Sequence, residues 1–214
     1  MEYALIAQWR ARGMLDAHYT APVLSAVNQI FAVSGSCALT TADQIAVAEA
    51  KGFQILNLDA STATDQRRLA AEIAFIQAEC LSLLSQGHDV LVTTARGPDD
   101  PMVARVAEAI TTYRATSSDV NARLGTALGQ LVSDIRRKTK MQRIAISGGD
   151  TSGHALTQLG ADALSAVAPL APGAPLCRVH TGADPAIDGL EVTLKGGQMG
   201  QPTFFLEAKG GPQT

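Results

Sequence analysis

Apolar residues follow two rhythms along the chain. Some form short unbroken runs; others recur every three or four positions. "QIFAVSGS" (29–36), "FQILNLD" (53–59), "HDVLVTTA" (88–95) and "QRIAISGG" (142–149) are runs of the first kind and predict buried strands. Between them lie helical stretches. "LTTADQIAVAEAKG" (39–52) carries Thr41 and Gln44 at capping-box spacing and Gly52 as a stop. A long helix is predicted from Thr64 to Gln86, its apolar stripe running through Leu69, Ile73, Ile76, Cys80 and Leu83, with Gly87 closing it. Helices follow over 101–114 and 118–138, the second striped by Val120, Leu124, Leu128, Leu131 and Ile135. A short helix over 151–159 stops at Gly160, "ALSAVAPL" predicts a further short strand, 176–180 and 190–194 are strand-like, and a last short helix starts at Pro202. At the other end, residues 2–16 predict a helix with Ala4, Leu5, Trp9 and Met14 on one face, imperfect enough to suit packing on something outside the chain. "TAPVLSAVNQ" (20–29) follows as a linker. The β-α-β-α-β alternation predicts an α/β fold: a mostly parallel central sheet flanked by helices, with Gly-rich loops at strand C-terminal ends.

Composition narrows the function classes. The chain has 214 residues, 46% hydrophobic and 17% charged, enough for one large domain with a full core. A net charge of −3 and the lack of a basic run with interleaved aromatics argue against nucleic acid. No apolar stretch is long enough to cross a bilayer, and Glu2, Arg10 and Arg12 break up any signal-peptide pattern. Cys37, Cys80 and Cys177 lie far apart without a C-x-x-C, which predicts reduced, mostly buried thiols and a cytoplasmic chain. The four histidines show no metal-ligand spacing, so no metal site built from protein ligands is expected, and His154 and His180 are expected to be structural or exposed. Arg136, Arg137, Lys138 and Lys140 predict a solvated face at a helix C-terminus.

Chemistry concentrates in "ISGGDTSG" (146–153), where a strand hands over to a helix. A glycine pair lets backbone amides approach an anion, and the helix N-terminus aims free N–H groups at the same place. Asp150, Thr151 or Ser152 can cap the helix or present a side-chain oxygen to phosphate or Mg2+. The pattern is neither a Walker A loop nor a dinucleotide fingerprint, and a plain strand-to-helix turn explains it equally well. "Asp-Thr-Ser-Gly" is not an aspartic protease signature here, since that chemistry needs two carboxylates on an all-β scaffold. "VSGSCALTTADQ" and "LKGGQMGQP" repeat the design of a strand followed by small residues. If their strands align, all three loops face one pocket. Lys195 can offer charge to a phosphate there, though a lysine beside a glycine turn is more often solvated. Arg96, in the loop after the third strand, can reach a phosphate or adenine, a plain surface arginine being the commoner case.

Together the three motifs resemble the C-terminal nucleotide-binding domain of the four-carbon acid sugar kinases, over Gln29 to Lys209. Asp150 stands where that family usually has Glu, Gly196 where it has Ser, and Gln198-Met199 where it has Asn-Phe. The resemblance implies an ATP-binding domain, residues 29–210, behind a junction of residues 1–28. It implies ATP with Mg2+ as cofactors and phosphorylation of a threonate- or erythronate-type acid. By position, Ser36, Gly148, Gly149, Asp150, Thr151 and Gly197 would contact ATP, with Asp150 orienting Mg2+ through water or capping the helix. Family members hold the sugar acid on a separate N-terminal domain. The chain, at about half the family's length, is therefore expected to be an isolated or truncated domain with little turnover of its own and no assignable catalytic base. A homo-oligomer stays open, and a non-catalytic nucleotide- or anion-binding module is the alternative.

Overall fold

The computed structural model describes residues 2–16 and 22–210. Strands β1 (Phe31–Ser34), β2 (Gln54–Asn57), β3 (Val90–Thr93), β4 (Arg143–Ser147), β5 (Ala163–Ala171), β6 (Ala174–His180) and β7 (Glu191–Lys195) form one sheet in the order β2-β3-β1-β4-β7-β6-β5. The first five strands of that order run parallel; β6 and β5 close the far side antiparallel. The helices are α1 (Glu2–Ala11), α2 (Leu39–Ala50), α3 (Gln66–Ser85), α4 (Pro101–Tyr113), α5 (Ser117–Thr139), α6 (Gly149–Gln158) and α7 (Phe204–Gly210).

Strands β1, β3 and β4 are buried at every position because helices cover both faces. Successive side chains point to opposite faces, and the core divides accordingly. On one face Ile45 and Ala48 of α2 and Phe204 and Phe205 of α7 pack over Ala32, Leu91 and Ala145. On the other, α3, α5 and α6 cover Phe31, Val33, Val90, Val92, Ile144 and Ile146. The helix α4 buries no residue of its own fully and rests on the 3-10 turn Ala60–Thr64.

The predicted order of elements matches the structure, with differences that have local causes. The helix expected from Thr64 begins at Gln66, because Asp65 accepts from the amides of Arg67 and Arg68 and the preceding turn belongs to a 3-10 segment capped by Asp59. The expected capping box on α2 is not formed. The helix starts earlier, with Ala38 as N-cap and no side-chain cap, so Thr41 and Gln44 lie inside it and face inward. The short strand expected at 163–170 is the nine-residue edge strand β5. The N-terminal helix ends at Ala11, and its Leu5 and Trp9, with Met14 beyond, stay exposed. Of the expected linker, residues 20 and 21 lie outside the described residues. The rest is irregular but pinned: Leu24 packs on Ala168 and Leu176, and Gln29 donates to the carbonyls of Leu84 and His88.

Only Cys80 of the three free thiols is buried; Cys37 is exposed and Cys177 half-buried, which corrects the expectation of mostly buried thiols. Nor is the basic end of α5 merely solvated. Arg137 pairs with Asp184, Lys138 donates to Gln77 on α3, and Arg136 donates to the Met141 carbonyl. His154 packs against α5 at Gly125, and His180 lies 2.8 Å from the Ser165 hydroxyl.

Two glycines separate tight packing from open space. A Cβ at Gly129 would meet the Ala155 Cα and the His154 carbonyl oxygen, both at 2.9 Å, whereas one at Gly153 would meet nothing within 4 Å. Gly129→Val is therefore expected to destabilise the fold by about 1–3 kcal/mol. Gly153→Ala is expected to raise stability by up to about 1 kcal/mol through helix propensity. Urea midpoints of the two variants check both signs.

Candidate functional site

The strands β1, β4 and β7 are parallel neighbours in matched register, with Ser34 opposite Ser147 and Ser147 opposite Lys195. Their three glycine loops therefore leave the sheet side by side at one level. Backbone bonds stitch the exits together: Gly35 N donates to Ser147 O at 3.0 Å, and Gly148 N to Lys195 O at 2.9 Å. From β1 the chain turns toward β2 through α2 on one face, and from β4 it turns toward β5 through α6 on the other. The gap between β1 and β4 is thus a topological switch point, where open α/β sheets bind ligands beyond their strand ends.

Close approach explains the small residues. Thr151 is buried, and a Cβ added at Gly35 would fall 2.1 Å from its Oγ1. A Cβ at Gly197 would fall 2.3 Å from Ser36 Oγ and 3.2 Å from the Ala38 Cβ. Gly148 sits at φ +118, a backbone conformation that side chains disfavour. Gly149 differs: it opens the first turn of α6, it is exposed, and a Cβ there would touch nothing within 4 Å. The first amides of α6 have no acceptor within the helix and carry its positive end, so the open space over Gly149 favours an anion. The structure brings Ser36, Gly148, Thr151 and Gly197 together, with Gly149 and Asp150 at the exposed lip. Asp150 is not the N-cap of the helix; Gly148 is, and it has no side chain to accept from the first amides, while the Ser152 hydroxyl donates to the Gly148 carbonyl at 2.7 Å. Its carboxylate stands exposed in the first turn of α6.

Sequence reasoning missed the residues that hold the third loop. Lys195 is not solvated: it is 1% exposed, and its partners among the described residues include no carboxylate. Its Nζ donates to Thr41 Oγ1 at 3.0 Å and to the Gly196 and Gly197 carbonyls at 3.3 Å each, and it lies 5.6 Å from the centre of the Phe204 ring. Three donors meet three acceptors, which leaves none for a phosphate. Thr41 in turn donates to Gly197 O at 2.7 Å. One turn further along α2, Gln44 Nε2 reaches Met199 O at 2.9 Å and Gln201 O at 3.0 Å, its Oε1 buried and unpartnered. The face of α2 read as a capping box is instead the clamp on residues 196–201. Burial lowers the Lys195 pKa from its ordinary 10.5 to about 8. Arg96 is also occupied, its guanidinium bonded to Glu49 at 2.7 Å and Asn57 at 3.0 Å.

The model of the nucleotide-binding C-terminal domain family matches residues 31–205. A 3-oxo-isoapionate kinase of Paraburkholderia graminis is 42% identical over 205 residues, which are 96% of this chain and 43% of that protein. A 3-oxo-tetronate kinase of Methylobacterium radiotolerans is 28% identical over 177 residues, 82% of this chain and 38% of that protein. The chain thus spans less than half the length of these curated relatives. A crystal structure of a Haemophilus influenzae protein superposes with a TM-score of 0.68 at 19% identity, covering 93% of this chain and 43% of its own. A Bordetella bronchiseptica domain of unknown function, solved as a domain-swapped dimer with bound citrate, gives 0.59 at 21% identity, covering 86% and 41%. These two share the fold.

The clamp predicts a separation of loop order from global stability. Lys195→Met removes three hydrogen bonds worth about 0.5–1.5 kcal/mol each, two to loop carbonyls and one to Thr41 on α2, and also a buried charge whose solvation was lost. Amides of residues 196–199 are expected to exchange with solvent faster in the variant. The folded pKa lies below the unfolded one, so between pH 8 and 10.5 the unfolded chain binds the extra proton. The wild type's stability relative to Lys195→Met is therefore lowest below pH 8 and rises through that window, as denaturation midpoints of both proteins at pH 7 and pH 10 will show.

Proposed function

The chain belongs to the nucleotide-binding C-terminal domain family, and on that basis we propose that it is the ATP-binding part of a kinase that phosphorylates short sugar acids. The observation that carries this reading is the in-register convergence of three glycine loops on the open N-terminus of α6. Both curated relatives are named as kinases of 3-oxo acids. That favours a 3-oxo sugar acid over a simple threonate or erythronate, within the same short sugar-acid class.

In this reading the first amides of α6 hold the nucleotide's phosphates, while Ser36 and Gly197 wall them on the β1 and β7 sides. In transfer, an acid's hydroxyl oxygen bonds to the γ-phosphorus and gives up its proton to water or a base as the bond from that phosphorus to the β-phosphate oxygen breaks, and ADP leaves. Catalysis of such a loose transfer consists mostly of positioning and charge neutralisation, the work a rigid cradle of amides performs. Mg2+ would arrive with the nucleotide and neutralise phosphate charge. The donors fit a metal held mainly by phosphates and water. Asp150 offers a carboxylate at the lip, and no group of three or more His, Cys, Asp or Glu is gathered for a metal among the described residues.

Gly149→Val places a branched side chain in open space, where an added Cβ meets nothing within 4 Å. Calorimetry with ADP and Mg2+ is expected to show binding to the wild type and at least about tenfold weaker binding to the variant, a loss of about 1.4 kcal/mol. Equal affinity would remove this cradle from the nucleotide site. Asp150→Asn is expected to weaken ADP binding in the presence of Mg2+ and to leave it unchanged in a chelator.

A further inference from the structure

At the end of the sheet away from the glycine loops, where β4 and β7 begin, lies a small polar cavity. It encloses about 260 Å3 and is lined by Ser25, Val27, Arg136, Gln142, Arg143 and Glu191 among others. We infer that this cavity binds a small oxyanion, a carboxylate or phosphate group gripped side-on by the guanidinium of Arg136. The inference stands apart from the nucleotide reading and uses none of its residues.

Two arginines line the cavity, and their guanidinium edges are used differently. Arg143, the first residue of β4, is 1% exposed and engaged on all three nitrogens. The edge formed by its Nε and Nη2 holds the Glu191 carboxylate, at 2.9 and 2.7 Å. Its Nη1 donates to the carbonyls of Ala208 and Lys209 at 3.0 and 3.3 Å. Arg136, in the last turn of α5, donates through Nη1 alone, to the Met141 carbonyl at 2.8 Å. Its Nε is buried and unpartnered, and its Nη2 has no partner among the described residues. The donors left over are thus the same edge that grips a carboxylate on Arg143. Two N–H groups fixed in one plane match two oxygens of a carboxylate or phosphate. A buried donor without an acceptor is unfavourable, and an oxyanion on that edge removes the deficit.

The charges around the cavity agree. Glu191 is neutralised by Arg143, and Arg178 stands 3.7 Å from its other oxygen. Arg136 makes no ion pair among the described residues, whereas its neighbour Arg137 pairs with Asp184. Asp188, beside the lining Gly189, gives its carboxylate to the Thr181 amide at 3.0 Å. Helix C-termini repel anions, but the carbonyls that end α7 are covered here. Arg143 takes two of them, and Val27 N donates to that of Lys209 at 2.9 Å. Ser25 and Gln142 are exposed and add neutral donors at the rim. The volume lies below the roughly 300–1,000 Å3 of pockets for drug-sized ligands, which suits a molecule of few atoms.

Nuclear magnetic resonance titration of the whole chain tests the site, with inorganic phosphate and malonate as separate probes. The amides of Val27, Gln142 and Gly189 are expected to shift and to saturate, while those of residues 149–152 report any phosphate at the α6 N-terminus separately. The probe that saturates the three amides at the lower concentration identifies which oxyanion the site prefers, and either order supports it. Arg136→Gln removes charge and fork together, and Arg136→Lys keeps the charge without the fork. Circular dichroism and the melting temperature verify that each variant folds. Both should bind the preferred probe at least about tenfold more weakly than the wild type, with the response of residues 149–152 unchanged. The proposal is overturned if neither probe moves the three amides, or if either folded variant binds as the wild type does.

Discussion

A buried ammonium without a carboxylate partner holds the third wall of the site. Burying a charge is costly unless its donors are satisfied, and Lys195 satisfies all three with a hydroxyl and two loop carbonyls. The arrangement makes sense only if the loop must be held in that shape. The carbonyls of Gly196 and Gly197 gather around a cation, which turns the chain at the end of β7 back toward Ser36. A second tie, from Gln44, fixes the loop two residues further on. The helix α2 thereby links two walls that are far apart in sequence: it begins just after the Ser36 loop and clamps the Gly197 loop from beneath.

The switch point then distributes tasks between the faces of the sheet. On the α6 side sit the amides that favour phosphate. The α2 side supplies the clamp. No single motif contains the whole candidate site; matched register among β1, β4 and β7 brings it together from loops spread between Gly35 and Gly197.

Much of this was legible in the sequence and some was not, for identifiable reasons. The buried parallel strands announce themselves because both faces are covered, so β1, β3 and β4 are continuous apolar runs. Ser36, Gly148, Thr151 and Gly197 could be placed in one site from their motifs. Gly35 escaped, although it makes the closest approach to Thr151, because a glycine's need for contact space depends on a partner more than a hundred residues away. Thr41 and Gln44 were misassigned since capping-box spacing and a shared helix face have the same three-residue interval. Lys195 had a local signal: it keeps the inward parity of the buried Thr193 on β7. A charged residue at an inward strand position next to a glycine loop asks for a structural explanation before a solvated one.

The packing of α6 on α5 has a mechanical consequence. At Gly125 and Gly129 the two helices meet through the His154 ring, through α6 backbone and through the stem of Gln158, with no side chain from these two α5 positions between them. Such a joint has few soft degrees of freedom. The N-terminus of α6 is therefore set by the stiffness of a long core helix and not by its own short length. A ligand charge arriving at Gly149 would push against the body of the domain, and any compliance in the site would reside in the loops facing it.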